Sequence, residues 1–526
     1  MPEIKNLTDK AGTVVYPKTS SDAVDVNGTI LTDILNNIKI IDIETIEELK
    51  TMSLPLGTHI HMLNYYTNDN IEHNRIISDT DNGTGVQLSN NLYANIPDCK
   101  QLNALWLGIK RSGDIFDLSE LEEQSNKFNK VKAVKNLNSF REIYFPAGYY
   151  SFGVKGLILG QPNDILSIVG EGNSWKPVYI FFRNLQSDQY AISTHPSCSI
   201  NEQNWAGLSI SGISLDGQGC KCEGGIKIAY TPNVTFKNVL IGGFYGHGLH
   251  ILKCEDSVFD QVSIFSCGRN NLDNNTITTN LYRNSNGEYY PKYKFAEVSR
   301  PQSPSGENDY FIPADEAEYN NAAYSEYFAL YLERKNEDND ANNMIRFRDC
   351  RIEKNNSYPY VSALHQGGMW IVFEGLHAET DGTLGTFMQS DGSILTFTDC
   401  HIEGNQFKWT LVNGYGNTYV NNSRYFSLLA PLHNNISSTM LNNVESSKFI
   451  NTSSTAQLQA TNTNFEFLSH RMCSNIFVSN SCINKLDNTG TRYNDSVALF
   501  SNCKITSSTD KTTNDYIMYS NCIFES

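Results

Sequence analysis

The chain has 526 residues and a formal net charge of −17, with 18% charged and 40% hydrophobic residues. Such a composition is that of a folded chain and not of a disordered one. The excess of acidic residues excludes a basic footprint, so no nucleic-acid partner is expected. No run of about eighteen apolar residues occurs, so no membrane insertion is expected. Residues 1–5 start no signal peptide, because no apolar stretch follows them.

The first 100 residues are predicted to form two small modules. Residues 1–40 contain an extended stretch at 12–19, the turn signal Asn27-Gly28, and a short amphipathic helix over Thr29–Leu35. A segment of this size does not fold alone, so it needs a partner or copies of itself. Residues 41–100 are predicted to form a small β-rich domain. A capping helix is then predicted from Asp117 to Asn129.

A short phrase recurs through residues 101–526 and predicts a stacked repeat. Its large first residue, position 0, recurs every 18–26 residues apart from one long gap. It falls at Ile210, Phe236, Phe259, Phe347, Phe373, Phe397, Val420, Leu441, Ala460, Val478, Phe500 and Tyr519. Positions 0, +3 and +5 are apolar or small, whereas +4 and +6 are usually polar. From +3 onward the alternation has period two, which indicates a strand with one buried face.

Position +2 of the phrase predicts a bend between two strands. Asn and Asp tolerate left-handed backbone and hydrogen-bond locally, so one such residue per repeat predicts a stacked ladder at a tight turn. These residues are Asn238, Asp349, Asp399, Asn422, Asn443, Asn462, Asn480, Asn502 and Asn521. The Leu-x-x-Leu-x-Leu frame of leucine-rich repeats is absent. The prediction is an all-β fold, a right-handed parallel β-helix.

Twelve cysteines occur, and none has zinc-type spacing with histidine. Four of them, Cys350, Cys400, Cys503 and Cys522, occupy inward position +3, which predicts reduced, structural thiols. No metal or other cofactor is expected.

The long gap between the repeats at Phe259 and Phe347 is an aromatic-rich insertion at about 268–326. Its aromatic side chains, Tyr289 and Tyr290 among them, suit either sugar stacking or packing of the insertion against the solenoid or a neighbouring subunit.

Three adjacent repeats concentrate ionisable residues at the two outward positions. Position +4 holds Arg351, His377 and His401, and position +6 holds Glu353, Glu379 and Glu403. With rungs about 4.8 Å apart, Glu353 should lie about 5 Å from Glu379 and about 10 Å from Glu403. Carboxyl groups at such spacings suit retaining or inverting glycoside hydrolysis.

Other residues near these repeats are candidate substrate-binding groups. His365, Trp370 and Asp381 are predicted to lie on the loops that join the three repeats, and Trp370 and Trp409 could stack on sugars. A non-chemical alternative stays open: the columns would form a surface ion-pair lattice, or face the axis of a trimer. A polysaccharide lyase would instead use His365, His377 or Tyr358 as a base.

Several phrases resemble those of phage tail spike proteins with a pectate-lyase-like β-helix. The N-terminal resemblance rests on residues 13–19, Ala23-Val24 and Gly28, and the solenoid resemblance on residues 143–152, 168–172 and 210–217. The sequence departs from that pattern at 105–109, where the family usually has Phe-Gly-Ala. The resemblance implies that residues 1–40 attach to the virion, through a tail or baseplate protein, and that residues 41–100 form a neck.

The same resemblance implies a homotrimer made in the host cytoplasm that acts at the bacterial surface on a polysaccharide. The expected function is binding of capsule, O-antigen or exopolysaccharide with endo-glycosidic cleavage by Glu353, Glu379 and Glu403. The alternatives are a non-catalytic receptor-binding protein of the same fold, a polysaccharide lyase, or a structural tail component. The last phrase, at 519–524, exposes strand edges, so partner subunits, another virion protein or the loops at 469–495 are expected to cover it.

Overall fold

The architecture follows from the repeat, and the chain forms two compact units. A computed structural model describes residues 40–66, 71–97, 99, 101–131, 142–160, 167–172, 174, 176–199, 201, 207–268, 327–334, 342–354, 361–365, 368–380, 385–390, 394–403, 407–413, 416–424, 426–430, 438–451, 457–469, 475–487, 497–508 and 517–525, with the backbone of eight short strands elsewhere. One unit comprises residues 1–99 with 105–108, and the other comprises 100–104 with 109–526. The finer division at residue 40 remains a prediction.

The first unit is built on a five-stranded sheet. Its strands, in spatial order, are Ile40–Ile43, His59–Met62, His73–Ser78, Tyr93–Asn95 and Val86–Gln87. Helix α1 (Ile46–Thr51) begins at the N-cap Thr45, whose hydroxyl accepts a hydrogen bond from the Glu48 N–H at 3.2 Å. The helix buries Ile46 and Leu49 in the core of this unit.

Part of the expectation for residues 1–40 is wrong. Asp25–Val26 pairs antiparallel with Thr29–Ile30, so Thr29 and Ile30 are strand residues and not the start of a helix. An Asn-Gly pair between two strands is a strong hairpin signal, and here it prevails over the helical periodicity. Leu7–Thr8 pairs with Val14–Val15 in the same way. The remainder of the predicted helix, 31–35, lies outside the described residues.

The second unit consists of two long sheets whose strands pair in parallel throughout. A 20-stranded sheet contains Gln101–Asn103, Glu142–Phe145, Gly148–Gly153, Ser167–Gly170, Val178–Arg183, Leu208–Cys220, Val234–Phe244, Glu255–Phe265, Asn342–Arg348, Arg351–Lys354, Gly368–Glu374, His377–Thr380, Ile394–Thr398, His401–Ile402, Asn417–Asn421, Ser438–Asn442, Gln457–Thr461, Asn475–Ser479, Val497–Ser501 and Ile517–Ser520. A 14-stranded sheet contains Leu157–Leu159, Tyr190–Thr194, Gly224–Ala229, His247–Leu252, Leu330–Glu333, Val361–His365, Gly385–Ser390, Phe407–Asn413, Ser427–Ala430, Glu445–Asn451, Asn464–Ser469, Cys482–Asp487, Lys504–Ser508 and Ile523–Phe524. The chain is a parallel β-helix.

The predicted frame of the repeat is confirmed along its whole length. The position-0 residues pair directly from rung to rung, beginning with Ile210 against Phe236 and ending with Phe500 against Tyr519. The rings of Phe259, Phe347, Phe373 and Phe397 stack inside the coil with centroids 4.9–5.1 Å apart. All four are at most 2% exposed, so this stack is a continuous part of the core.

The bend at position +2 is also confirmed. All nine predicted Asn and Asp residues have φ between 48° and 55°, in the left-handed region. In the other three repeats, position +2 is Gly212, Gln261 or Gly375, and each of these residues also has a positive φ. Asn502 donates to Asn480 at 3.3 Å and accepts from Asn521 at 2.7 Å, so a side-chain ladder runs along the bend.

The N-terminal end of the coil carries the predicted helix. Helix α2 (Leu118–Lys130) begins at the N-cap Asp117, which accepts from the Glu120 N–H at 3.0 Å. The buried Phe128 packs its ring against Phe145 and Phe152. A 3-10 helix over Ala104–Leu107 precedes it. No helix in the described part of the chain is long and apolar enough to cross a bilayer.

The cysteines at position +3 face inward, as predicted. Cys350 and Cys400 are 3% and 2% exposed, and their thiols donate to carbonyls of the preceding rung. Burial raises the pKa of Cys350 to about 12 and that of Cys400 to about 11, so both are protonated, unreactive thiols. Cys522, on the last described rung, is only half-buried.

Candidate functional site

The outward positions of three adjacent rungs form one cluster of six charged or titratable side chains. Arg351 pairs with His377, and His377 pairs with His401, across neighbouring strands. Glu353 pairs directly with Glu379, and the Glu403 N–H continues the ladder by donating to Ala378 O at 3.0 Å. The sequence-predicted columns are therefore in register, and they place six side chains on one face. We call them the ionic cluster.

Every glutamate of the cluster lies beside an arginine or a histidine of the cluster. Arg351 pairs with Glu353 and reaches Glu379 at 3.3 Å. His377 Nε2 lies 3.6 Å from Glu379 and 3.8 Å from Glu403, and His401 Nε2 lies 3.3 Å from Glu403. The glutamate side chains are 18–33% exposed, so the cluster faces outward and remains accessible in the single chain.

The two imidazoles stack on each other above the strands. Their centroids are 5.4 Å apart and their planes differ by 7°. Partial burial lowers the pKa of His377, and the Arg351 guanidinium and His401 lower it further, against the opposing pull of Glu379 and Glu403. His377 is therefore a neutral imidazole at pH 7, with Nε2 engaged in no hydrogen bond.

Two of the glutamates approach each other closely enough to act as a pair. One carboxylate oxygen of Glu379, one of Glu403 and a ring nitrogen of His377 all lie within 4.8 Å of one another. Nearest oxygens this close are compatible with the carboxyl spacing of about 5–5.5 Å that suits a covalent, retaining glycoside hydrolysis. The same three ligand atoms could also hold a divalent cation.

Two other candidate residues lie in strands and not on the loops where they were expected. Trp370 does not lie on a loop but within the strand Gly368–Glu374, with φ at 58° and its side chain 52% exposed. His365 also lies in a strand, Val361–His365, where it is fully buried and Nδ1 contacts Ser390 Oγ at 2.9 Å. A side chain buried in this way cannot contact a ligand at the surface. Both loop assignments were wrong: the strand with Trp370 begins before the repeated phrase that Phe373 opens, and His365 lies in the 14-stranded sheet, which the phrase does not include.

The remaining candidates cannot be placed relative to the cluster. Asp381 and Tyr358 lie outside the described residues, and most of the insertion at 268–326 does too. Tyr289 and Tyr290 form a short strand paired antiparallel with Tyr282–Arg283, of which the backbone alone is described. The side chain of Trp409 lies outside the described residues as well.

Two neighbours of the cluster were missed, although the same columns contain them. Arg424 continues column +4, bridging to His401 on one side and Glu445 on the other. Phe265 occupies column +6 one rung before Glu353 and pairs directly with it. Both could have been found from the sequence, because Arg424 is position +4 of the repeat that begins at Val420, and Phe265 is position +6 of the repeat that begins at Phe259.

Histidines 247 and 250 belong to a second, buried network in the other sheet. Tyr190 Oη lies 2.7 Å from His250 Nδ1, and His250 Nε2 lies 2.7 Å from Glu333. Burial lowers the pKa of His250 and raises that of Tyr190 well above its usual value. Both histidines are at most 5% exposed, whereas the Glu333 side chain is 22% exposed, so the histidine part of this network packs the interior of the coil.

The comparisons with known proteins concern structure alone. No family model matches the sequence, and no curated protein matches it. The tailspike gp42 of Acinetobacter phage vb_AbaP_AS12 is similar, with 11% identity, a TM-score of 0.44, and coverage of 93% of this chain and 73% of that one. The tailspike gp49 of Acinetobacter baumannii bacteriophage Fri1, a capsular polysaccharide depolymerase, is also similar. It has 10% identity and a TM-score of 0.40, with coverage of 92% of this chain and 75% of that one.

The active domain of tailspike protein 4 from bacteriophage CBA120 gives 11% identity and a TM-score of 0.42, covering 94% of this chain but only 56% of that one. The chain is thus similar to solved phage tail spikes. At such identities no role of an individual residue follows from the similarity.

Proposed function

We propose that the chain is a phage tail spike that binds a bacterial surface polysaccharide and cleaves it by endo-glycosidic hydrolysis at the ionic cluster. The observation that carries the proposal is the pairing of Glu379 with Glu403, whose oxygens lie within 4.8 Å on an outward face. Glycoside hydrolysis requires one carboxyl group as acid and a second as nucleophile or base. The virion role rests on the resemblance of the N-terminal phrases and of the opening coils.

Stability does not account for the cluster. Like charges stacked on neighbouring strands destabilise a sheet. The compensating pairs are mostly a third or more exposed on the basic side, and such surface ion pairs contribute about 0–1 kcal/mol each. The three stacked glutamates therefore lower the stability of the fold more than their ion pairs raise it. This favours a role for them in chemistry or binding.

The residues of the cluster divide into separate roles under this proposal. Glu379 and Glu403 are the catalytic pair. Arg351 holds both Glu353 and Glu379, so it fixes the position of the first carboxylate, and Glu353 neutralises the guanidinium. The neutral His377 and its stacked neighbour His401 hold Glu403 and present ring edges to sugar hydroxyls. The spacing of the pair predicts retention of the anomeric configuration.

The proposal is tested by incubating the protein with a panel of purified capsular polysaccharides and lipopolysaccharides. New reducing ends without absorbance near 232 nm are expected on at least one of them, and proton NMR of the first products should show the retained anomer. Absorbance near 232 nm would instead identify a lyase. Retention of a polysaccharide without cleavage would identify a non-catalytic receptor-binding protein of the same fold.

Assembly and location follow as parts of the same proposal. Residues 1–40 would attach the chain to a tail or baseplate protein, and a homotrimer made in the host cytoplasm would act at the bacterial surface.

A further inference from the structure

An exposed group of aromatic rings lies at the N-terminal end of the β-helix. It consists of Phe116, Tyr149, Tyr179 and Phe181, which we call the aromatic platform. Phe116 is 64% exposed and Tyr149 is 55% exposed, although large apolar side chains are normally covered when packing is their role. Tyr179 and Phe181 are half-buried beneath them.

The rings of the platform are held in a fixed arrangement. Tyr149 stacks with Tyr179 at 5.5 Å between centroids and with Phe181 at 6.0 Å. The Arg183 guanidinium lies 4.2 Å from the centre of Phe116 and 5.3 Å from that of Phe181, and it donates to Gly113 O at 2.8 Å. Rigid rings with hydroxyl and guanidinium donors at their edges suit a ligand that has both apolar faces and hydroxyl groups.

The strand register connects this platform to the ionic cluster. Tyr149 pairs with Tyr179, and the same column continues rung by rung to Arg351, His377 and His401. Phe181 belongs to the neighbouring column, which continues to Phe265, Glu353 and Glu379 through Asp216 and Gly242. The platform and the cluster therefore occupy the same two columns, and between them Ser214 and Leu240 are buried while Ser263 and Phe265 are half-buried.

The distance between them is that of an oligosaccharide and not of a single sugar. Four rungs separate Tyr179 from Arg351, which at about 4.8 Å per rung is roughly 19 Å along the axis. Phe265 lies between, half-buried, one rung before Glu353. A Cβ on Gly242 would come within 2.7 Å of the Phe265 ring, so that ring covers the glycine and extends the apolar surface towards the platform.

We propose that the aromatic platform is a distal binding subsite for the polysaccharide, whose chain lies along the helix axis with its scissile bond at Glu379 and Glu403. This inference rests on the proposed function, and adds to it the direction of the bound chain and a minimum length of substrate. Fragments too short to span the five rungs, roughly 24 Å, between Phe181 and Glu379 would not reach the platform.

A polysaccharide fits the platform better than a second copy of the chain. The surface combines two phenol hydroxyls and a guanidinium with its rings, and it is continuous in register with the cluster where the polymer is cut.

The test compares Tyr149→Ala and Phe116→Ala with Phe477→Ala, a matched control whose ring is 45% exposed far along the coil. Each is combined with Glu379→Gln, so that bound polymer is not degraded. Binding to an immobilised polysaccharide from the panel is measured by biolayer interferometry, in competition with the intact polymer or with its limit-digest fragments. The platform variants should weaken binding of the polymer roughly tenfold and leave that of the fragments unchanged. The control should change neither.

Equal binding of the polymer by the platform variants and the control would overturn the inference while the proposed function stands. A change in oligomeric state of the platform variants, measured by sedimentation velocity, would show that the patch is a subunit interface and would also overturn it. Should the unmutated chain retain no polysaccharide of the panel, the proposed function fails and the inference fails with it.

Discussion

A single buried pair in the first unit shows how burial sets the charge of a residue. His73 and Arg75 are 5% and 1% exposed, and the Arg75 Nε–H donates to His73 Nε2 at 3.0 Å. His73 Nδ1 lies 3.1 Å from Ile71 O, so the imidazole is neutral with its proton on Nδ1. Burial and the adjacent guanidinium lower the pKa of His73 to about 3.

This pair predicts a loss of stability in mild acid. Because the folded-state pKa of His73 is below its unfolded value of 6.5, the unfolded chain binds the proton first as the pH falls. Stability is therefore full above about pH 6.5 and declines down to about pH 3. Between pH 7 and 4.5 the first unit should lose about 2–3 kcal/mol.

The measurement is hydrogen exchange of peptides from 71–97, corrected for the intrinsic rate at each pH. His73→Gln retains an acceptor for Arg75 and should flatten the pH dependence, while His59→Gln, at an exposed position of the neighbouring strand, should leave it intact. An unchanged pH dependence in His73→Gln would exclude His73 as its source.

At the scale of the repeating element, the left-handed residue at position +2 contributes to the stability of the coil in two separable ways. Its backbone strain is tolerated by Asn, and its amide joins the ladder along the bend. Asn502 does both, with φ at 53° and side-chain bonds to Asn480 and Asn521. Asn502→Ala should destabilise the C-terminal rungs by about 1–3 kcal/mol, because Ala adds left-handed strain and loses both bonds.

The companion substitution separates the two contributions. Asn502→Gly removes the amide but relieves the strain, so it should cost less than Asn502→Ala in urea unfolding. Ser501→Ala, at the preceding half-buried position, is the matched control with little expected effect. Both variants lose the amide, so a glycine variant less stable than the alanine variant would contradict the claim that left-handed strain adds to the cost of Asn502→Ala.

At the scale of the whole molecule, the repeat made the fold predictable, because its signals are local and redundant. Phe373 and Phe397 could be aligned by type, and Asp399 identified the bend between strands, so the register of the ionic cluster followed from the sequence. The Phe stack and the inward cysteines needed no further information. Each rung confirms the frame of its neighbour, which is why the prediction held across the insertion.

The rest could not be predicted, because it depends on segments that do not repeat. His365 and Trp370 looked like loop residues, since the recurring phrase includes neither the 14-stranded sheet nor the start of the strand Gly368–Glu374. The aromatic platform was not recognised, because Tyr149 and Tyr179 precede the first rung to which the frame was assigned. The hairpin at Asn27-Gly28 was missed because a short helical pattern overlapped with a stronger turn signal.

The central claim is that the ionic cluster cleaves a polysaccharide through Glu379 and Glu403. Its most direct test is the initial rate of reducing-end release, on a polysaccharide cleaved by the unmutated chain, for Glu379→Gln and Glu403→Gln. Glu374→Gln is the control, since Glu374 lies on the same rung as Glu379 but pairs with Arg346 and Arg348 at 3.7 and 3.6 Å. Each catalytic variant should lose about 10²–10⁴-fold in rate, with the control near the unmutated value. Full cleavage by either catalytic variant would contradict the account.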